Sequence, residues 1–253
     1  MRRSARAFTL IEIMMVLLIL TVLATGLAIP LATQVAMHRH EETRRILEDA
    51  REAVLGFASV HGRLPCPASA TSNGQESFAP DGDALNGRCL GFHDGFLPAA
   101  SLGLAPLDNQ GYLRDAWMTP DNRVRYAVFG GDAGGIPQVL TRANGMKSAT
   151  LAGLGATSNY LTLCASGAGA NASGCGAAAN QLTRRAAFVL LSHGPNAPVA
   201  PNPGSDEARN LDADSVFVSH EISTAPGNDF DDYLTWVTIN LVASRLVMAG
   251  RLP

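Results

Sequence analysis

One carboxylate within a long apolar segment is the residue whose position most strongly suggests chemistry. Glu12 lies near the start of this segment, and between residues 13 and 36 the most polar side chain is that of Gln34. A bilayer core requires about 20 apolar residues of a helix that crosses it. A carboxylate inside such a helix is costly unless it meets a partner. We therefore expect Glu12 to pair with a positive charge at its own depth.

Basic residues on one side of the apolar segment predict its orientation. Arg2, Arg3 and Arg6 precede it, and basic flanks stay in the cytoplasm. The rest of the chain should then lie outside the inner membrane, in the periplasm or beyond. The segment is long for a cleavable signal peptide, and Glu12 also argues against one. A standard signal cleaved near residues 26–28 and a simple anchor are the alternatives.

The first residues resemble a known processing signal. A short basic leader and a small residue precede Phe8-Thr9-Leu10-Ile11-Glu12, which is similar to the class III signal of type IV pilins and type II secretion pseudopilins. The resemblance implies that prepilin peptidase cuts between Ala7 and Phe8, and that the new amino group of Phe8 is methylated. Glu12 becomes the fifth residue of the mature chain, where the family carries this acid. Ala7 replaces the usual glycine.

Cleavage would create the partner that Glu12 requires. The amine of a cleaved Phe8 is about one helical turn from Glu12, so it could meet its own Glu12 or that of a neighbour. Between subunits stacked with an axial offset, this pair would fix the register, because buried ion pairs specify alignment more than they add stability. The expected partners are other pilins or pseudopilins, with the inner membrane holding the helix before assembly.

The remaining sequence predicts a long helix followed by one globular domain. Apolar residues recur at three- and four-residue steps between residues 46 and 58, which extends the helix past the membrane. Gly26 and Pro30 predict a kink within it, and Gly62 predicts its end. We expect a leader at residues 1–7, a helix at 8–62 and a β-sheet domain at 63–253. The helix would divide into a transmembrane part at 8–32 and a periplasmic amphipathic part at 33–62.

Several segments of the domain have the composition of strands. They are rich in β-branched and aromatic residues and comprise residues 124–129, 160–163, 186–191, 215–219 and 233–238. Residues 68–111 hold turn signals and should be irregular. Asn240 should cap a short helix that ends at Gly250. The expected class is α+β and pilin-like, with a long N-terminal helix packed on an antiparallel β-sheet and a short C-terminal helix.

The four cysteines lie in the part expected outside the membrane, where disulfides persist. They are Cys66, Cys89, Cys164 and Cys175. Pairing of neighbours, Cys66 with Cys89 and Cys164 with Cys175, is the simplest of three connectivities. The alternative of a four-cysteine zinc site is disfavoured because Cys-x-x-Cys spacing is absent.

Acidic residues crowd the region from Asp206 to Asp232. Oxygen ligands in a loop suit calcium, and some pseudopilins bind calcium in a late loop. The resemblance therefore makes calcium a possible cofactor, with Asp212 and Asp214 as candidate ligands, although a solvated acidic surface is the alternative. Asp115-Ala116-Trp117 also resembles the Asp-Pro-Trp-Gly segment of major pseudopilins.

No catalytic set is evident, so we do not expect an enzyme. Ser192 and His193 are adjacent near a strand end and would point to opposite faces, and His193 should be a surface or loop residue. The net charge of −3 shows no basic footprint for nucleic acid. We predict a structural minor pilin or pseudopilin subunit. The alternative is a subunit at the fibre tip that recognises a surface, DNA or a secreted substrate.

Overall fold

The computed structural model describes residues 9–117, 122–197 and 199–252, without the side chains of residues 24–32. The chain divides into two compact units, residues 1–42 and residues 43–253. Among the described residues, none of the helices combines the length and the hydropathy that crossing a bilayer requires. The predicted transmembrane segment at residues 8–32 lies partly outside the described residues, because residue 8 and the side chains of residues 24–32 are not described. The predicted leader at residues 1–7 lies wholly outside the described residues.

The first helix, α1, covers Leu10–His61 and contains 52 residues. The helix continues through Gly26 and Pro30 without a break, so no melted turn separates its two halves. It ends where Gly62 takes a φ of +68°. Glycine adopts this left-handed conformation without steric cost, which explains why the helix ends within one residue of the predicted position.

The second unit begins within α1 and uses one face of that helix as core. The buried side chains of this face recur at three- and four-residue steps, and they are Leu47, Ala50, Val54, Leu55 and Ala58. They join one apolar cluster with Tyr126, Phe188 and Val237 from the sheet. Burial of apolar surface therefore attaches the helix to the sheet, as the sequence pattern predicts.

A six-stranded sheet forms the centre of this unit. Its strands are β1 (Gly95–Phe96), β2 (Arg125–Val128), β3 (Leu161–Cys164), β4 (Gln181–Ser192), β5 (Val216–Val218) and β8 (Tyr233–Thr238). The strand order is β1-β2-β4-β3-β5, and β8 also pairs with β4. The β3–β5 pair is parallel and the other pairs of this sheet are antiparallel, so the sheet is mainly antiparallel, as predicted. The long connection through β4 returns the chain to the edge of β3 in the same direction, as a parallel pair requires.

The sequence did not predict the smaller elements. These are α2 (Ala99–Leu102), α3 (Gly145–Ala156), α4 (Asp206–Arg209) and a hairpin of β6 (Ser223–Ala225) with β7 (Asn228–Phe230). The last helix, α5, covers Ile239–Met248 and follows β8 directly. Asn240 is therefore inside its first turn, and the prediction that it caps the helix is wrong. The α+β class is confirmed, with a long N-terminal helix, a mainly antiparallel sheet and a short C-terminal helix, consistent with a pilin-like fold.

Candidate functional site

The N-terminal end of α1 places Glu12 in the first helical turn. The hydroxyl of Thr9 accepts a hydrogen bond from the backbone N–H of Glu12 at 3.3 Å. The carbonyl of Thr9 accepts from the N–H groups of Glu12 at 3.1 Å and Ile13 at 3.2 Å. A carboxylate in the first turn also complements the positive end of the helix dipole. Ala7 and Phe8, the predicted cleavage residues, lie outside the described residues.

An exposed apolar surface surrounds Glu12. All residues from 10 to 23 are exposed, and their large apolar side chains are between 47% exposed at Ile13 and 85% exposed at Leu10. Soluble monomers rarely expose contiguous apolar patches of this extent. Lipid or other apolar helices are the surroundings that suit such a surface, and Glu12 is the acidic group within it.

Both disulfides join cysteines that are neighbours in the sequence. Cys66 is bonded to Cys89 and Cys164 to Cys175, each with a Cα–Cα distance of 5.4 Å. The first bond closes an irregular loop and the second connects the end of β3 to the loop before β4. These are the pairs that the spacing favours, and they leave no cysteine for a zinc site.

A buried ion pair reinforces the first of these loops. Arg63 and Glu76 form two parallel contacts, Nη1–Oε1 at 2.6 Å and Nη2–Oε2 at 2.8 Å. The backbone N–H of Cys66 also donates to Oε1 of Glu76 at 2.8 Å. Bidentate pairs of this kind are geometrically specific. The disulfide and the ion pair therefore hold the same segment against the end of α1.

Asp212 and Asp214 hold a local turn in this structure. Asp212 accepts from Arg209 at 2.8 Å and from the N–H of Asp214 at 3.2 Å. Asp214 accepts from the N–H of Val216 at 2.7 Å, at the start of β5. Burial and the charge of Asp212 raise the pKa of the Asp214 carboxyl. Calcium at this pair of residues stays a prediction.

A different acidic group comes together from α4 and the segment before β8. Within the described ranges, Glu207, Asp231 and Asp232 have carboxylate oxygens that lie within 4.8 Å of one another. Burial, followed by the charges of Glu207 and Asp232, raises the pKa of the Asp231 carboxyl to about 7. Glu207 accepts from the N–H of Asp231 at 2.8 Å. The sequence shows eight acids between Asp206 and Asp232 but not which of them meet, because α4 and β8 are brought together by the fold.

Ser192 and His193 belong to two separate buried networks. The hydroxyl of Ser192 donates to Asp115 at 2.5 Å, and Nδ1 of His193 is 3.2 Å from Asp232. His193 lies in a loop just after the end of β4, as predicted, but it is buried, with 9% of its surface exposed, so it is not a surface residue. Neither contact pairs the serine with the histidine.

Asp115 is a buried residue whose structural role the sequence did not predict. It is fully buried and accepts from Asn122 Nδ2 at 3.0 Å and from the N–H of Trp117 at 2.8 Å, in addition to Ser192. The next residue donates its N–H to the hydroxyl of Thr43 in α1 at 3.3 Å. The feature of the sequence that could have pointed to Asp115 was its place in the Asp115-Ala116-Trp117 segment.

Comparison with known proteins supports the assignment of the N-terminal region. Residues 2–28 match the model of the prokaryotic N-terminal methylation motif. This is the class III signal, consistent with the type IV pilin and pseudopilin family, and it supports a precursor of that type. No curated protein and no solved structure matched the chain.

Proposed function

We propose that this chain is the precursor of a minor pilin or pseudopilin, which prepilin peptidase cleaves between Ala7 and Phe8. Methylation of the Phe8 amine would follow. The methylation motif over residues 2–28 is the observation that carries the proposal. Glu12 in the first turn of a helix with an exposed apolar surface supports it.

The proposed assembly step moves the apolar half of α1 from lipid into a bundle of like helices. Both surroundings are apolar, so the large side chains at residues 10–23 stay out of water. Packing then supplies attraction, and pairing of Glu12 with a neighbour's terminal amine supplies register. An uncompensated carboxylate in such surroundings is expensive, so a subunit in the wrong register loses this partner and is rejected.

We place the precursor in the inner membrane as a single-pass protein, with residues 43–253 in the periplasm. After processing it would enter a type IV pilus or the pseudopilus of a type II secretion system. Its role is structural rather than enzymatic. The length of the chain favours a low-copy position, which keeps open the alternative of a tip subunit that recognises a surface, DNA or a secreted substrate.

The cleavage is tested by expressing the full chain with and without prepilin peptidase and measuring its intact mass. We expect the enzyme to remove residues 1–7 and to leave Phe8 as the methylated terminus. Ala7→Gly provides a matched control, because it restores the residue that the family usually has and should be cleaved at least as fast. A mass that is unchanged by the enzyme in both proteins would disprove the proposal.

The role of Glu12 is tested separately from cleavage. Glu12→Gln retains the shape of the side chain and removes its charge, so we expect normal cleavage but loss of incorporation into the fibre. Glu41→Gln is the matched control, since Glu41 is an exposed acid further along the same helix. Normal incorporation of the Glu12 variant would eliminate the register role.

A further inference from the structure

Polar side chains attach the β6–β7 hairpin to α4. Within the described strands, β6 and β7 pair only with each other. Asn228 in β7 donates from Nδ2 to Oδ2 of Asp206 at 3.1 Å, and its Oδ1 accepts from the N–H of Asp206 at 2.9 Å. His220, which precedes β6, lies with Nε2 2.9 Å from the same Oδ2. The contacts of the hairpin and of the segment before it therefore meet at Asp206.

Both ring nitrogens of His220 face oxygen atoms that accept hydrogen bonds. Nδ1 is 2.7 Å from the carbonyl oxygen of Glu221, an atom that has no hydrogen to donate. The carboxylate of Asp206 also accepts from Asn228 and, at 2.6 Å, from the N–H of Gly167, as an ionised carboxylate does. A neutral imidazole has one donor and one acceptor nitrogen, whereas the imidazolium has two donors. The two contacts of the ring therefore hold one more proton than a neutral ring and an ionised carboxylate supply.

The surroundings of the ring strengthen this contact and leave it open to titration. The side chain of Asp206 is 7% exposed and that of His220 is 23% exposed, so the pair is partly shielded while solvent still reaches the ring. Hydrogen bonds that involve ionised groups are about twice as strong as those between neutral ones. After loss of the proton, an acceptor nitrogen would face an acceptor oxygen at 2.7 or 2.9 Å, and that contact becomes repulsive.

We propose that His220 is a proton-dependent latch, which holds residues 219–229 against α4 while the ring is protonated and releases them when it is neutral. The attached form binds one more proton than the released form, so linkage favours attachment as pH falls and release as pH rises. Phe230 is fully buried and stacks on the ring with 3.9 Å between the centroids, so it keeps the end of β7 in the core. Most of residues 219–229 are exposed, so proton uptake would control part of the surface of the second unit.

Other charged groups near the ring must be distinguished from it. Four of them line one cleft together with His220, and they are Arg44 and Glu48 of α1, Glu221 and Asp232. Asp231 titrates with a pKa of about 7, and its carboxyl is close to that of Glu207, the residue after Asp206. A variant that removes the titration of Asp231 is therefore needed as a control.

The protonation of the ring is measured by NMR on the full chain in detergent micelles, with isotope-labelled histidine. We expect both ring nitrogens of His220 to carry hydrogen while the segment is attached, and one of them to lose it over the pH interval in which the segment is released. His61 is an internal control, because its ring stacks on Phe57 at 4.0 Å and its Nδ1 is 3.1 Å from the Phe57 carbonyl. No carboxylate among the described residues pairs with His61, so its titration should leave the residues around it attached.

Hydrogen exchange at residues 219–229 measures release. An isolated two-stranded hairpin is marginally stable, so release should expose its amides. We expect their protection, the ratio of exchange rates in the unfolded and native chains at one pH, to fall about tenfold to a hundredfold as the ring loses its proton, the effect of losing a hydrogen bond to a charged group. His220→Gln cannot titrate and should make this protection independent of pH. Asp231→Asn should retain the pH dependence of the wild type.

Several results would overturn the latch. Protection that remains pH-dependent in His220→Gln would assign the effect to another group, and loss of the dependence in Asp231→Asn would assign it to that carboxyl. If His220→Gln does not fold, the wild-type chain decides alone, because release that does not follow proton loss at the ring contradicts the latch. A ring that carries a single N–H in the attached form contradicts it as well.

Discussion

Removal of the disulfides should destabilise the second unit by amounts that depend on loop length. Cys66–Cys89 spans 23 residues and Cys164–Cys175 spans 11. The chain-entropy relation gives about 3.4 kcal/mol for the longer loop and about 2.8 kcal/mol for the shorter one. We expect the Cys66→Ala/Cys89→Ala variant to lose more of the free energy of unfolding than the Cys164→Ala/Cys175→Ala variant, by about 0.6 kcal/mol.

The two double variants are matched in their side-chain environment. The four cysteines are between 0% and 6% exposed, so replacement by alanine has similar packing costs in each pair and the difference reports mainly the loops. Urea unfolding of the full chain in detergent micelles, followed by the fluorescence of Trp117 and Trp236, measures both free energies. An equal or greater loss for the shorter loop would refute the entropic reasoning.

The Arg63–Glu76 pair allows a second test of what stabilises the loop that the Cys66–Cys89 bond closes. Both side chains are nearly buried, at 7% and 12% exposure, so Glu76→Gln leaves a buried guanidinium without its charged partner. Breaking a buried pair in this way costs about 3–5 kcal/mol. If the disulfide and the pair support the same folded segment, their combined effect should differ from the sum of the separate effects. Additivity within error would show that they act independently.

Three further perturbations have expected outcomes. Because the pKa of Asp231 is raised to about 7, its contribution to stability is present below the unfolded pKa near 3.8 and is lost as pH rises through 7. Asp231→Asn should therefore gain stability relative to the wild type between pH 4 and pH 8, and thermal unfolding that shows no pH-dependent difference would contradict this. Asp115→Ala should cost about 3 kcal/mol or more by leaving buried donors without an acceptor, and Asp115→Asn should cost less; equal melting temperatures would contradict it. Ala58→Leu adds volume where α1 contacts the sheet and should cost about 1–3 kcal/mol, whereas Val60→Leu at an exposed site should be neutral in the same urea experiment.

The sequence predicts those parts of the fold that depend on local patterns. The apolar stripe from Leu47 to Ala58, the end of α1 at Gly62 and the principal strands follow from spacing and residue type. The helix α3 does not, because it is rich in glycine and alanine and is interrupted at Thr150, where φ is +61°. Its buried residues Met146, Ala149 and Leu154 show that tertiary packing, rather than propensity, supports it.

The residues of the candidate site also divide into those that a local motif identifies and those that only the folded structure brings together. Glu12 and the processing signal are contiguous, so the motif alone identifies them. The contact of His193 with Asp232 joins positions 39 residues apart, and the Glu207–Asp231 contact depends on how α4 meets the start of β8. Such contacts depend on how distant segments of the chain pack in the folded structure, and no local pattern encodes them. The parallel pairing of β5 with β3 has the same origin.

The position of both cystines in the second unit makes oxidation a marker of where that unit matured. Cytosolic reductants keep thiols reduced, whereas exported domains can be oxidised. A chain trapped on the inner side would therefore still carry four thiols, and a maleimide of known mass would count them once the chain is unfolded. The number of labelled cysteines would thus report whether the second unit of each molecule had reached an oxidising compartment.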